Sequence, residues 1–307
     1  MSVLTASFRP ILLPSLGAGQ AMGYLAMTAT VFVWAAFALS TRMSDGAALA
    51  FADIALIRSL VPTLVFLPFL PARMGMIRRA GLRNCAIIAV GAGLPFFWLA
   101  VAGAAATSAA HVAALVAGTV PVSVALLLWL RHGERPSALG SLALVLILGG
   151  VALMVGPISG QAVIGGVAAL LLASLCWGAF TLAVKRSGLD PLGCALVISL
   201  PSTVAIGVLL ATGLAPTHWG AFTLAEAMPF ILVQGILVSV LAVATYAFAI
   251  ARLGSARCAA LGSATPALAA LMAIPVLQEQ PDLGTWIAIC VICIGVALSA
   301  RASRGVV

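Results

Sequence analysis

The chain has 307 residues, of which 64% are hydrophobic and 7% charged, with a formal net charge of +8 and a mean hydropathy of +1.24. A soluble domain carries about 25% charged residues, so this composition excludes a water-covered globule. The Lys and Arg residues form short clusters between apolar runs and make no basic face, which argues against a nucleic-acid partner.

Residues 1–21 hold Arg9 and two prolines, Pro10 and Pro14, around a short apolar stretch. This segment is too short and broken for a secretion signal and reads as a cytoplasmic tail. Ten apolar runs follow, at residues 22–41, 49–70, 85–105, 108–130, 138–155, 163–184, 192–214, 228–250, 258–277 and 283–300. Each is near the ~20 residues with which a helix crosses ~30 Å of hydrocarbon. They are too long for barrel strands, which alternate over ~10 residues. The connections are short and leave no room for a soluble domain. The expected fold is an all-α integral membrane protein of ten transmembrane helices, ending in a short cytoplasmic tail, 301–307.

The first run carries Trp34 and Phe37, three residues apart and so on one helical face. Both are candidates for a cavity wall that contacts cargo; ordinary helix packing is the competing reading. The second run holds Arg58, about ten residues in. A free guanidinium at that depth is costly, so it faces a wet cavity, pairs, or snorkels outward. It could meet a cargo carboxylate through a charge-assisted bond or serve as a structural anchor. Asp53, five residues earlier, lies about 140° around a helix and is a poor partner for it. The third run has Phe96, Phe97 and Trp98 in succession, so some of the three face lipid; Trp98 is a candidate for the cavity.

The fourth run opens with His111 among small residues, a candidate hydrogen-bonding group for the substrate or a proton site. A neutral histidine bonded at the interface is the alternative. Pro121 lies mid-run, where it removes a backbone bond and can kink the helix, as either a gate hinge or a static bend. The sixth run carries Trp177 and Phe180, spaced as in the first. Tyr246 stands in the eighth run, and its hydroxyl needs a partner if buried. Pro266 in the ninth run matches Pro121. The tenth run contains Cys290 and Cys293 at C-x-x-C spacing without a second pair, which suits packing better than metal binding or redox chemistry. The other four cysteines also lie in or beside apolar runs, so no disulfide framework is implied.

Orientation follows from Lys and Arg. With a cytoplasmic N-terminus, the inner segments carry Arg9; Arg73, Arg78, Arg79 and Arg83; Arg131 and Arg135; Lys185 and Arg186; Arg252 and Arg257; and Arg301 and Arg304. That is all of the 15 basic residues except Arg42, outside, and Arg58, within a span. Adding or omitting one span would scramble this alternation.

The chain also repeats itself. "WAAFAL" at 34–39 returns as "WGAFTL" at 177–182, and Arg42 and Lys185 each stand eight residues after their Trp. Pro121 is followed 13 residues later by Glu134, and Pro266 by Glu279 at the same distance, each glutamate two residues before a proline. "GVAL" occurs at 150–153 and 295–298. The matched offsets of 143 to 145 residues mark an internal duplication, with units at 22–155 and 163–300. Each unit holds five spans, an odd number, so the second enters the membrane from the opposite side. Two inverted five-helix repeats suit alternating access around a mid-membrane site. The matched Glu134 and Glu279 read as capping or loop-bracing groups.

Two five-helix repeats, a Trp-bearing first helix in each, and a small-residue helix ending in Pro-x12-Glu-x-Pro resemble the EamA branch of the drug/metabolite transporter superfamily. The resemblance covers roughly residues 22–302. Within the branch the chain looks most like the bacterial aromatic amino acid exporters, ten-helix proteins with an apolar central cavity. The resemblance implies export of amino acids and related small metabolites across a bacterial inner membrane. The small multidrug branch places a carboxylate in its first helix, whereas runs one and six here contain no Asp or Glu. Efflux of hydrophobic or cationic toxic compounds by acid-mediated exchange is therefore the second reading. An intramembrane lipid-modifying enzyme would need an acid/base pair or metal ligands at one face, and the sequence offers neither. A non-transporting scaffold would have no use for an inverted duplication. No nucleotide-binding domain, cofactor motif or metal cluster is expected. The expected partners are a small solute, amino acids first, and the lipid bilayer, with a monomer favoured over a dimer.

Overall fold

The computed structural model describes residues 18–156 and 161–302, and every regular element among them is helical. Of the expected tails, 1–21 and 301–307, residues 1–17 with Arg9 and 303–307 with Arg304 lie outside the described residues, while 18–21 and 301–302 belong to α1 and α14. The chain runs through α1 (Ala18–Met43), α2 (Phe51–Phe66), α3 (Leu70–Ala92), α4 (Leu94–Ala105), α5 (Ala109–Val112), α6 (Val120–His132) and α7 (Ala138–Val155). It continues through α8 (Gln161–Ser187), α9 (Pro191–Ala211), α10 (Leu224–Phe230), α11 (Ala242–Leu253), α12 (Ser255–Gly262), α13 (Thr265–Leu277) and α14 (Leu283–Ala302).

The described residues contain 9 helical stretches long and apolar enough to cross a membrane, one of which, Phe51–Ala105, has 55 residues. That stretch is two spans. Gly81 breaks it with φ 78° and ψ 151°, a conformation that glycine adopts without steric cost. The Cys85 thiol reaches back to the Ile77 carbonyl at 3.7 Å, and the Phe51 and Phe97 rings stack 5.7 Å apart. Residues so distant in sequence meet only if the chain turns back at Gly81. The described residues therefore form ten spans, as expected. The difference lies in the second connection: residues 71–80, expected as a loop, are helical.

Polar side chains set where the helices begin and end. Ser137, Asp190 and Thr223 cap α7, α9 and α10, each accepting a backbone N–H from three residues on. The Thr285 side chain and N–H hold the Asp282 carboxyl below its usual range, and the bond from the Thr285 N–H is 2.7 Å. Gly133 ends α6 and Gln278 ends α13, both left-handed, at φ 66° and φ 57°. These two residues occupy matched positions in the repeats. Gln278 is the one non-glycine among the described residues with positive φ.

The packing shows the inverted symmetry directly. A Cβ on Gly150 of α7 would lie 2.6 Å from Ile292 Cγ1 of α14 and 3.0 Å from the Ala288 oxygen. A Cβ on Gly295 of α14 would lie 2.7 Å from Ile147 Cγ1 of α7 and 2.9 Å from the Ala143 oxygen. Gly150 and Gly295, Ile147 and Ile292, and Ala143 and Ala288 are repeat mates. Each glycine thus receives the isoleucine of the other helix, and the contacts run in opposite directions along the two helices. The helices are antiparallel and related by a twofold axis between them. In water this glycine seat would be one packing choice among many; in lipid, close backbone approach is a principal source of helix association. The same axis passes between α2 and α9, where the Thr63 and Thr203 hydroxyls bond at 2.9 Å. Large apolar side chains such as Leu64, Val145, Leu172 and Val204 cover the outer face, as lipid exposure requires.

Candidate functional site

The two first helices and the two third spans meet in matched aromatic contacts. Trp34 of α1 packs on Tyr246 of α11 with ring centroids 5.0 Å apart. Trp177 of α8 packs on Phe96 of α4 at 5.2 Å. Each contact joins a tryptophan from one repeat to a ring of the other. Around Trp177 the contacts extend into a continuous series, with Phe180 at 5.1 Å on one side and Phe37 at 6.1 Å from Phe96 on the other. Phe96 is 1% exposed, and the tryptophans and Phe37 are half-buried. Pairs of this kind contribute about 0.5–1.5 kcal/mol beyond their buried area.

Arg58 stands at the end of this series. Its guanidinium lies 5.2 Å from the Phe37 centroid and 4.9 Å from that of Phe97. Its Nη1 donates to Gln234 Oε1 at 2.6 Å. No carboxylate pairs with it among the described residues, whose ion pairs are Arg42 with Asp45 and Glu279, and Arg73 with Asp190. Asp53 is engaged elsewhere, as its helical angle led one to expect. Buried at 3% exposure, it accepts from the Ala50 N–H at 3.0 Å, the His218 N–H at 2.9 Å and the Thr217 hydroxyl at 2.5 Å. It ties the loop after α1 to the loop after α9.

Gln234 was not singled out from the sequence. It is fully buried, and its Nε2 donates to Ser40 Oγ at 2.8 Å and Thr41 Oγ1 at 3.3 Å. It lies in a π-helical stretch, Ile231–Leu241, where the Ser239 hydroxyl donates to the Gln234 carbonyl at 2.6 Å and to the Arg58 carbonyl at 3.2 Å. A lone amide inside an apolar run is itself a signal of function, and the rule for charged residues passed over it.

Both matched prolines lie where a helix restarts. Pro121 is the second residue of α6, after a π turn at Ala113–Ala117 and a break at residues 118–119. Pro266 is the second residue of α13, after a break at residues 263–264. At that position the missing N–H has no intrahelical partner to lose, so spans four and nine are interrupted helices where the sequence suggested kinked ones. Trp34 touches this break, since a Cβ on Gly262 would lie 3.2 Å from its ring.

Two candidates lie apart from the ring series. Trp98 is 57% exposed and has no ring partner among the described residues; Phe96 and Phe97 enter the cluster in its stead. His111 sits near the membrane face opposite the termini, with Nδ1 2.7 Å from the Ser108 hydroxyl and Nε2 buried without a hydrogen-bond partner among the described residues. Beside it, Glu279 Oε2 accepts the Ala109 N–H at 2.9 Å and Oε1 lies 3.3 Å from Arg42 Nε. Glu279 is thus a loop brace, as its position suggested. Its mate Glu134 is exposed and makes no bond among the described residues. The described residues hold no group of three or more His, Cys, Asp or Glu that could bind a metal. Cys290 is exposed and Cys293 half-buried, both as free thiols.

Comparison with curated proteins gives no significant match. A solved crystal structure aligns with 94% of this chain and 99% of its own at 20% sequence identity and a TM-score of 0.60; at that identity the likeness speaks for the fold alone. The model of the EamA-like transporter family matches twice, at residues 21–156 and 164–301, one match per repeat. With ten spans, inverted halves and two such matches, the chain belongs to the EamA-like transporter family.

Proposed function

We propose that this transporter exports amino acids and related small metabolites across a bacterial inner membrane, with both termini in the cytoplasm. One observation carries the reading. Rings from both repeats form a partly buried series that ends on a guanidinium with no carboxylate partner among the described residues. Such a site suits a solute with an apolar body and an anionic end. The body lies against Phe37, Trp177 and Phe180, and the carboxylate meets Arg58. Trp34 and Tyr246 form the matched wall on the other side of the axis. Hinge motion at the interrupted spans, beside Pro121 and Pro266, exchanges access between the two faces, with His111 at the face opposite the termini. The absence of an intramembrane acid in spans one and six disfavours the reading of cation efflux coupled to protons.

Counterflow by the purified protein in liposomes, against a panel of amino acids and lipophilic cations, tests this. Amino acid exchange without cation exchange is expected. Trp34→Ala and Trp177→Ala are each expected to raise the apparent KM about 3–10-fold, the worth of one lost ring contact. Normal flux and affinity in both variants would remove the rings from the site.

A further inference from the structure

We propose that Gln234 is the residue that makes this site demand a carboxylate, by holding Arg58 until the cargo displaces it. The inference rests on the reading of Arg58 given above and deepens it. The amide cannot turn over freely: its Nε2 is committed to the Ser40 and Thr41 hydroxyls, so Oε1 is presented to the guanidinium. A neutral oxygen there satisfies one donor and leaves the positive charge uncompensated. The amide offers the guanidinium one neutral oxygen, whereas a carboxylate brings the opposite charge and can accept two bonds from the fork, so a carboxylate outcompetes the amide and an amine or a neutral solute cannot. With Phe37 and Phe97 beside the guanidinium, the entrant must approach the N–H edge where Gln234 now sits. Gln234 lies in a π-helical stretch, a backbone form often found at functional sites, and release of Arg58 frees this segment to re-register.

The test compares phenylalanine with phenethylamine, the same body without a carboxylate, in counterflow by wild type, Gln234→Glu and Gln234→Leu. Gln234→Glu supplies Arg58 with an internal carboxylate and is expected to cut phenylalanine exchange more than tenfold while raising exchange of phenethylamine. Gln234→Leu removes the competitor and is expected to tighten phenylalanine binding, read as a lower apparent KM. Should Gln234→Glu fail to fold, Gln234→Leu alone decides. Unchanged selectivity and KM in whichever variant folds would overturn the role of Gln234 and leave the amino acid reading standing. Failure of wild type to exchange any carboxylate would overturn both.

A second inference comes from a separate observation, the asymmetry of the two faces. On the face opposite the termini, Glu279 joins Arg42 and the Ala109 N–H. The repeat mates on the terminal face are Glu134 and Lys185, both exposed and without a partner among the described residues. The other matched brace is formed on both sides: Asp53 ties the first loop to the seventh, and Asp190 at the start of α9 meets Arg73 Nε at 2.7 Å. Asp190 and Asp53 are therefore structural, and the glutamate lock differs between the faces, as does Arg42, which also meets Asp45 at 2.9 Å. We infer that Glu134–Lys185 is the lock of the opposite state, formed when Glu279–Arg42 opens.

Hydrogen exchange of the whole protein tests this without any cargo. Glu279→Gln is expected to deprotect residues 106–109 and to slow exchange in residues 133–137. Adding Glu134→Gln is expected to cancel that slowing. An unchanged rate at 133–137 in Glu279→Gln, or slowing that survives the second substitution, would overturn the lock.

Discussion

Replacing Arg58 with Ala should cost about 10–100-fold in kcat/KM for carboxylate-bearing cargo while leaving the protein folded. A hydrogen bond to a charged group contributes about 1.5–3 kcal/mol, and every 1.4 kcal/mol is about tenfold. On the stability side, opposing effects offset each other. The variant loses two cation–π contacts of about 0.5–2 kcal/mol each and leaves Gln234 Oε1 without its donor. It also removes a charge whose placement in a span is itself costly. A modest fall in Tm is therefore expected beside a large fall in transport. Arg58→Lys discriminates charge from shape. An ammonium keeps the charge, but it lacks the planar fork that stacks on rings and grips a carboxylate with two bonds, so an intermediate loss is expected. Counterflow kinetics together with a thermal unfolding curve check both variants. Wild-type kcat/KM in Arg58→Ala would remove the carboxylate from the site, whatever its effect on stability.

The spans, the duplication and the inversion were legible because they rest on local chemistry. Apolar runs of bilayer length need no knowledge of partners, and repeat mates such as Gly150 and Gly295 can be found by comparing the chain with itself. The site was legible only in part. Trp34, Phe37, Trp177 and Phe180 stood out by their matched spacing; the two tryptophans meet rings of the other repeat, and Phe37 and Phe180 meet rings of their own. Which of Phe96, Phe97 and Trp98 turned inward depended on the break at Gly93, which ends α3 with ψ −143° and re-aims the helix that follows. The partner of Arg58 was out of reach, since Gln234 lies 176 residues away in sequence. The same holds for Glu279 and the Ala109 N–H, 170 residues apart. Interruptions in spans four and nine were half visible: the prolines marked the places, but a proline reads equally as a kink within a helix or as its first turn.

Gly150→Val and Gly295→Val should each destabilise the fold severely, and by similar amounts. The symmetry makes the equality a sharper test than the magnitude. At Gly150 the nearest atoms to a new Cβ are Ile292 Cγ1 at 2.6 Å and backbone atoms of α14 at 3.0 and 3.1 Å. At Gly295 they are Ile147 Cγ1 at 2.7 Å and backbone atoms of α7 at 2.9 and 3.0 Å. A side chain could turn aside, but the backbone contacts can be relieved only by moving two helices apart. Overpacking in a tight core costs about 1–3 kcal/mol, and more when the backbone must shift. Paired truncation separates the two sources of strain. Ile292→Ala should recover part of the loss in Gly150→Val, and Ile147→Ala part of that in Gly295→Val, while the backbone share remains in both. The crossed pairs, Gly150→Val with Ile147→Ala and Gly295→Val with Ile292→Ala, should recover less, because each leaves the clashing isoleucine in place. Thermal unfolding in detergent with retention on size exclusion would measure all six. Equal losses with rescue only by the isoleucine of the other helix would follow from a twofold axis between α7 and α14, and clearly unequal losses would break the equivalence of the two halves at the contact where it is most direct.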